Sequence, residues 1–135
     1  MRTHPLLRAY MAGIAVPTPL LIAVVTGFTI ARSAFRVPVP LEHVIIFPMA
    51  VVPNMWGLWN MLRVAAGAGD RWPIGLHGAV LALLLMPLGL GLARLFAIDI
   101  ITPGLVAAFA PVVLATYYLA WKYLVAYCNR VLGIE

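Results

Sequence analysis

Four long apolar runs dominate this chain and decide most of what it can become. They cover residues 6–30, 41–64, 74–98 and 103–127, and each holds the roughly 20 or more residues needed to cross about 30 Å of hydrocarbon. The separators are short and turn-prone. One holds Pro38-Val39-Pro40, one runs Gly67-Ala68-Gly69-Asp70-Arg71-Trp72-Pro73, and one lies between Asp99 and Pro103. Loops this short force consecutive runs to lie antiparallel. The expected fold is an all-α integral membrane protein, a four-helix transmembrane bundle forming a single domain over residues 1–135.

Composition agrees. The sequence is 64% hydrophobic and 10% charged, whereas a soluble domain is roughly half apolar and a quarter charged. The formal charge of +5 does not indicate nucleic acid. The basic residues stand singly at the ends of apolar runs and form no stripe, so they read as topology determinants. The first run is too long for a secretory h-region and reads as a retained span. A lone cysteine, Cys128, excludes an internal disulfide and any multi-thiolate metal site.

Charge predicts the orientation. Arg2, Arg8, Arg63, Arg71, Lys122 and Arg130 fall on one side of the spans. Arg32, Arg36 and Arg94, offset by Glu42 and Asp99, fall on the other. The positive-inside rule then places both termini in the cytoplasm, in a membrane of the bacterial inner or plasma type. The aromatics sort the same way. Every Trp and Tyr lies toward the termini, and Phe28, Phe35, Phe47, Phe96 and Phe109 all lie toward the opposite side. Tyr and Trp carry a polar tip suited to the headgroup layer, and Phe does not.

A shift of about 62 residues aligns the first span with the third and the second with the fourth. Gly27, Ala31 and Arg32 then match Gly89, Ala93 and Arg94, while Phe47 matches Phe109 and Trp59 matches Trp121. This predicts two tandem helical hairpins as a parallel repeat. The Gly-x-x-x-Ala steps at Gly27/Ala31 and Gly89/Ala93 read first as helix-packing faces, because small residues let backbones approach closely in lipid.

Several residues are candidates for chemistry. Pro53 and Asn54 lie near the middle of the second span. The proline frees the Met49 carbonyl and the asparagine adds an amide at a depth where hydrocarbon satisfies neither. A substrate or ion site and an interhelical hydrogen bond are the two readings. Asn60 follows six residues later, near Arg63. Arg32 and Arg94 stand at equivalent helix ends, with Glu42 and Asp99 as available acidic partners. Helix-end complementarity explains them, and an anion- or headgroup-binding cluster is the alternative. His43 adds a titratable group beside Glu42. Every span carries prolines: Pro17 and Pro19, Pro48 and Pro53, Pro87, Pro111. Kinked helices that open a cavity lean toward transport, and threonines that re-satisfy the freed carbonyls are the duller account.

Absences narrow the field. No acid lies near mid-span, which argues against a carboxylate-based proton antiporter. His43 and His77 fall at opposite membrane faces, too far apart for bis-histidine haem ligation. No catalytic triad, zinc or phosphate-loop motif occurs, so no metal, cofactor or nucleic-acid partner is expected, and an enzyme is the less favoured class. The leading functional expectation is passive or facilitated passage of a small solute or ion by a homo-oligomer. Alternatives are an accessory or assembly subunit of a larger membrane complex and a membrane-embedded lipid-modifying enzyme using Glu42 and His43.

Overall fold

A computed structural model describes residues 4–67 and 71–134. The described residues are helical apart from short connections, and four helices are long and apolar enough to cross a membrane: α1 (Pro5–Phe35), α2 (Leu41–Ala65), α3 (Ile74–Leu95) and α4 (Pro103–Val131). They run up and down around a ring, each packed against the next, and the last turns of α4 return to the start of α1. One end of the bundle, here the near end, carries both termini and the connection after α2. The far end carries the other two connections.

Local chemistry accounts for the boundaries. Proline occupies the first helical position of α1 and α4, where its missing N–H is harmless. Thr102 caps α4, its hydroxyl accepting from the Leu105 N–H at 3.2 Å. Helix α1 outruns its expected end by five residues. It stops where Arg36 turns left-handed (φ 53°) and the Arg36 and Val37 N–H groups both reach back to the Ala31 carbonyl, the latter at 3.1 Å, a wider form of the Schellman closure. Helix α3 stops three residues early by a similar device at Ala97, with the Ile98 N–H donating to the Ala93 carbonyl at 2.8 Å. Helix α4 continues to Val131, past the expected Tyr127.

The prolines act locally. Helix α1 is interrupted at Val16, between Pro5–Ala15 and Pro17–Phe35. In α2, Pro48 sits inside a π-helical segment, Ile45–Val51, and a second π segment, Trp121–Val125, interrupts α4. Such segments mark helices carrying an inserted residue. The threonines do not serve the carbonyls that proline frees. Thr18, Thr29 and Thr116 donate to Ile14, Val25 and Val112, each one turn back, and none of these is the carbonyl four residues before a proline.

Packing is concentrated at the near end. The core joins Val52, Trp56, Leu81, Leu85, Trp121 and Val125. Backbone closeness makes room for the two indoles. A Cβ on Gly13 would lie 2.5 Å from the Trp56 carbonyl, and one on Gly78 would lie 2.5 Å from the Trp121 ring. The small-residue steps that draw these helices together are therefore Ala9/Gly13 on α1 and Gly78/Ala82 on α3, with Gly57 facing Tyr10 and Ile14. Toward the far end the bundle opens. Pro17–Phe35 buries only Pro17, and Pro103–Ala120 buries nothing. The accessible surface is 8363 Å², against about 6,900 Å² expected for a compact soluble chain of this mass. The excess is apolar side chain left without a neighbour.

Candidate functional site

Three polar clusters occupy three depths. The mid-span cluster is the most unusual. Asn54 lies on the flank of the bundle, in an outward row with Leu58 and Leu62, while Pro53 beside it is buried. Its side-chain amide donates to the Ala50 carbonyl at 2.6 Å, one turn back on its own helix, rather than to Met49. Its oxygen accepts a hydrogen bond from the Tyr10 hydroxyl of α1. One amide hydrogen and the lone pairs of the Tyr10 oxygen remain to face whatever covers this flank.

At the near end, Asn60 is fully buried and knots three helices. Its amide donates to the Ala9 carbonyl and to the Asn129 side-chain oxygen, both at 2.8 Å. Its own oxygen accepts from Arg63 Nε at 3.2 Å and from the Asn129 amide at 3.4 Å. All four polar positions of the amide are used, so Asn60 acts as a structural joint rather than as an open binding group. Arg63 is buried with it. Asn129 was not legible as a member. It lies in the last turns of α4, beyond the expected end of the span, where an asparagine reads as loop. Lys122 lies over the Tyr123 ring at 5.2 Å and the Tyr118 ring at 5.9 Å, the cation–π form of a snorkelling side chain. Arg2, counted with this end by charge, lies outside the described residues, as do Gly69 and Asp70 of the nearby connection.

At the far end, Arg32 and Glu42 form the expected ion pair at 2.8 Å, and both side chains are well exposed. The corresponding pair of Arg94 with Asp99 does not form, and the Arg94 guanidinium has no partner among the described residues. His43 packs its ring against Phe96, centroids 5.3 Å apart, and its Nδ1 is buried without a hydrogen bond. The Gly-x-x-x-Ala steps differ in use. Gly89 lies under the Phe47 ring and Ala93 is buried, but nothing approaches Gly27.

The aromatic sorting also needs a second explanation. Trp56 is 4% exposed and Trp121 fully buried, with ring centroids 5.6 Å apart and Tyr117 edge-on to Trp56 at 4.9 Å. These rings build the near-end core, whereas Trp72, Tyr123 and Tyr127 are exposed.

Between the far halves of α2, α3 and α4 lies a half-open apolar cleft of about 340 Å³, lined by Phe47, Leu85, Gly89, Val106, Phe109 and Tyr117 among others. It sits at the small end of ligand-site volumes and carries almost no polar groups. Among the described residues no cluster of three His, Cys, Asp or Glu side chains could hold a metal.

These features define a small all-helical chain with four helices long and apolar enough to cross a membrane. No protein-family model matches the chain, and no curated protein or solved structure is similar to it.

Proposed function

We propose that the chain is an integral membrane protein that works as a homo-oligomer, and that a small solute or ion passes along the boundary between protomers. Both termini face the cytoplasm in this reading. The exposed flank carrying Asn54 and Tyr10 carries the proposal. An asparagine turned out of a bundle at mid-depth would face hydrocarbon, which satisfies neither its spare hydrogen nor the Tyr10 lone pairs. Another protomer, or a file of water held between protomers, supplies what lipid cannot. The interior offers no competing route. Trp56, Leu81 and Trp121 plug the near half, and the far-half cleft is apolar. The tandem-hairpin repeat belongs to this proposal, as two units that meet at the far end mainly through Phe47 on Gly89 and His43 on Phe96.

The test is reconstitution of wild type and Asn54→Leu in liposomes, with oligomeric state measured in parallel. Flux that disappears in a variant whose oligomer persists supports passage along this flank. An oligomer of wild type that conducts no ion or small neutral solute refutes it.

The open Gly27/Ala31 face favours a second reading, an accessory subunit of a larger membrane complex. A helix of another protein would then occupy that face, and purification in mild detergent would recover the partner in fixed proportion. The lipid-modifying enzyme has weaker support, because Glu42, its proposed acid or base, is already committed to Arg32.

A further inference from the structure

We infer that the far-end cleft is a binding site for one anionic phospholipid, whose acyl chain lies in the cleft and whose phosphate meets Arg94. This inference is independent of the solute-passage proposal. It starts from the dimensions of the cleft. The lining of α4 runs from Leu105 to Tyr117, a rise of about 18 Å at 1.5 Å per residue. That is close to the depth of one leaflet, about half of a 30 Å hydrocarbon core. The cleft is half open, about 340 Å³ in volume, and walled by Phe47, Leu90, Val106 and Phe109. A flexible hydrocarbon chain fits a narrow apolar slot of this length, and a polar solute does not.

Hydrocarbon alone would not hold a lipid there. A chain leaving bulk bilayer for the cleft exchanges one apolar setting for another and gains only packing. Retention and selectivity must come from the headgroup, and the mouth of the cleft supplies them. On α3, Leu90 lines the cleft and Arg94 lies one turn farther out on the same face. Its guanidinium has no partner among the described residues. On α2, Phe47 lines the cleft and His43 lies about one turn farther out. The His43 ring packs on Phe96 with its Nδ1 buried, out of reach of a phosphate at the surface. The α3 stripe thus ends in an exposed cation with unused capacity, one turn beyond the cleft lining. The other local cation, Arg32, is already paired with Glu42. A bidentate guanidinium–phosphate contact suits Arg94, and one basic side chain at an anionic lipid surface is worth about fivefold in affinity.

The experiment is native mass spectrometry of the full chain released from nanodiscs of equal phosphatidylglycerol and phosphatidylcholine. Wild type should retain one phospholipid per chain, with phosphatidylglycerol favoured about fivefold. Arg94→Gln should retain a lipid with the preference reduced to near parity. Val106→Trp and Leu90→Trp fill the cleft from opposite walls, and whichever of them melts with wild type should lose the retained lipid. Wild type that emerges without lipid overturns the inference. So does lipid retained undiminished by a folded cleft-filling variant, or an unchanged preference in Arg94→Gln. Cross-linking of Val106→Cys to its equivalent in a second chain would show the cleft to be filled by protein, and would also overturn it.

Discussion

Replacing Asn60 with leucine tests whether a single amide ties the near end together. The side chains have similar volume, so the change removes hydrogen bonds while leaving packing nearly intact. Asn60 makes four contacts: to Ala9, to Arg63 and twice to Asn129. The Ala9 carbonyl keeps the helical N–H of Gly13. The Asn129 amide and Arg63 Nε lose this partner within a buried site. Interhelical hydrogen bonds in membranes average about 0.6 kcal/mol each, and stranding a buried polar group adds about 1 kcal/mol or more. Asn60→Leu should therefore destabilise by about 3 kcal/mol. Asn129→Leu should do so by about 1.5 kcal/mol, because Asn60 keeps Ala9 and Arg63. In the double variant no asparagine is left stranded, so its loss should stay near about 3 kcal/mol and the coupling should be about 1.5 kcal/mol. Unfolding in mixed micelles, followed by the fluorescence of Trp56, one helix turn from Asn60, and of Trp121 packed against Trp56, reads all four proteins. Strictly additive losses, or an Asn60→Leu loss below about 0.5 kcal/mol, would refute the claim that these side chains form one network.

The glycines give a paired expectation. Gly78→Ala drives a methyl to 2.5 Å from Trp121 and should destabilise by about 1–3 kcal/mol. Gly27→Ala meets nothing and should be neutral or slightly stabilising in an isolated chain. The same Gly27→Ala change should weaken a purified complex if a partner helix uses that face, which subunit exchange would detect. Glu42→Gln should leave the unfolding midpoint in micelles unchanged, since the Arg32–Glu42 pair is largely exposed; a large drop would show the pair to be covered in the assembly. Single cysteines at Arg36 and Arg71, in a Cys128→Ala background, should react with a membrane-impermeant reagent from opposite sides of a sealed vesicle. Labelling of both from one side would invalidate the proposed topology.

Element number, type and approximate place were legible because hydrocarbon-length apolar runs admit few alternatives. The ends were less so. Arg36 and Ala97 stop α1 and α3 in left-handed conformations that are uncommon for such residues, so no glycine announces either end. The ion pair of Arg32 and Glu42 followed from helix-end positions, whereas the missing Arg94–Asp99 pair depends on the early stop of α3, which sequence does not display. Within the chain, one helix packs on a different glycine from the one its clearest small-residue step suggests. Gly27-x-x-x-Ala31 and Ala9-x-x-x-Gly13 are equivalent as patterns, and only the second meets another backbone. The difference lies in which half of α1 faces α2, a tertiary fact. Asn54 and Asn60, six residues apart, look alike in sequence. One faces outward and the other knots three helices, because roughly 600° of helical rotation separates them on different faces.

The contrast between the two ends of the bundle gives the polar residues their separate meanings. At the near end, glycines bring backbones together, the indoles fill the remaining space, and every hydrogen-bonding position of Asn60 is used. Bistable behaviour there would require breaking several contacts at once. At the far end, Pro17–Phe35 and Pro103–Ala120 contribute almost nothing to the buried interior, and Pro48 with its π-helical surroundings interrupts the regular ladder of α2. The far halves are thus held by fewer buried contacts than the near end. Both proposed activities use that asymmetry. A cleft between partly separated helices admits a lipid chain without unpacking the core, and a protomer boundary at Asn54 lies at the junction of the closed and open halves. A chain uniformly packed from end to end would offer neither.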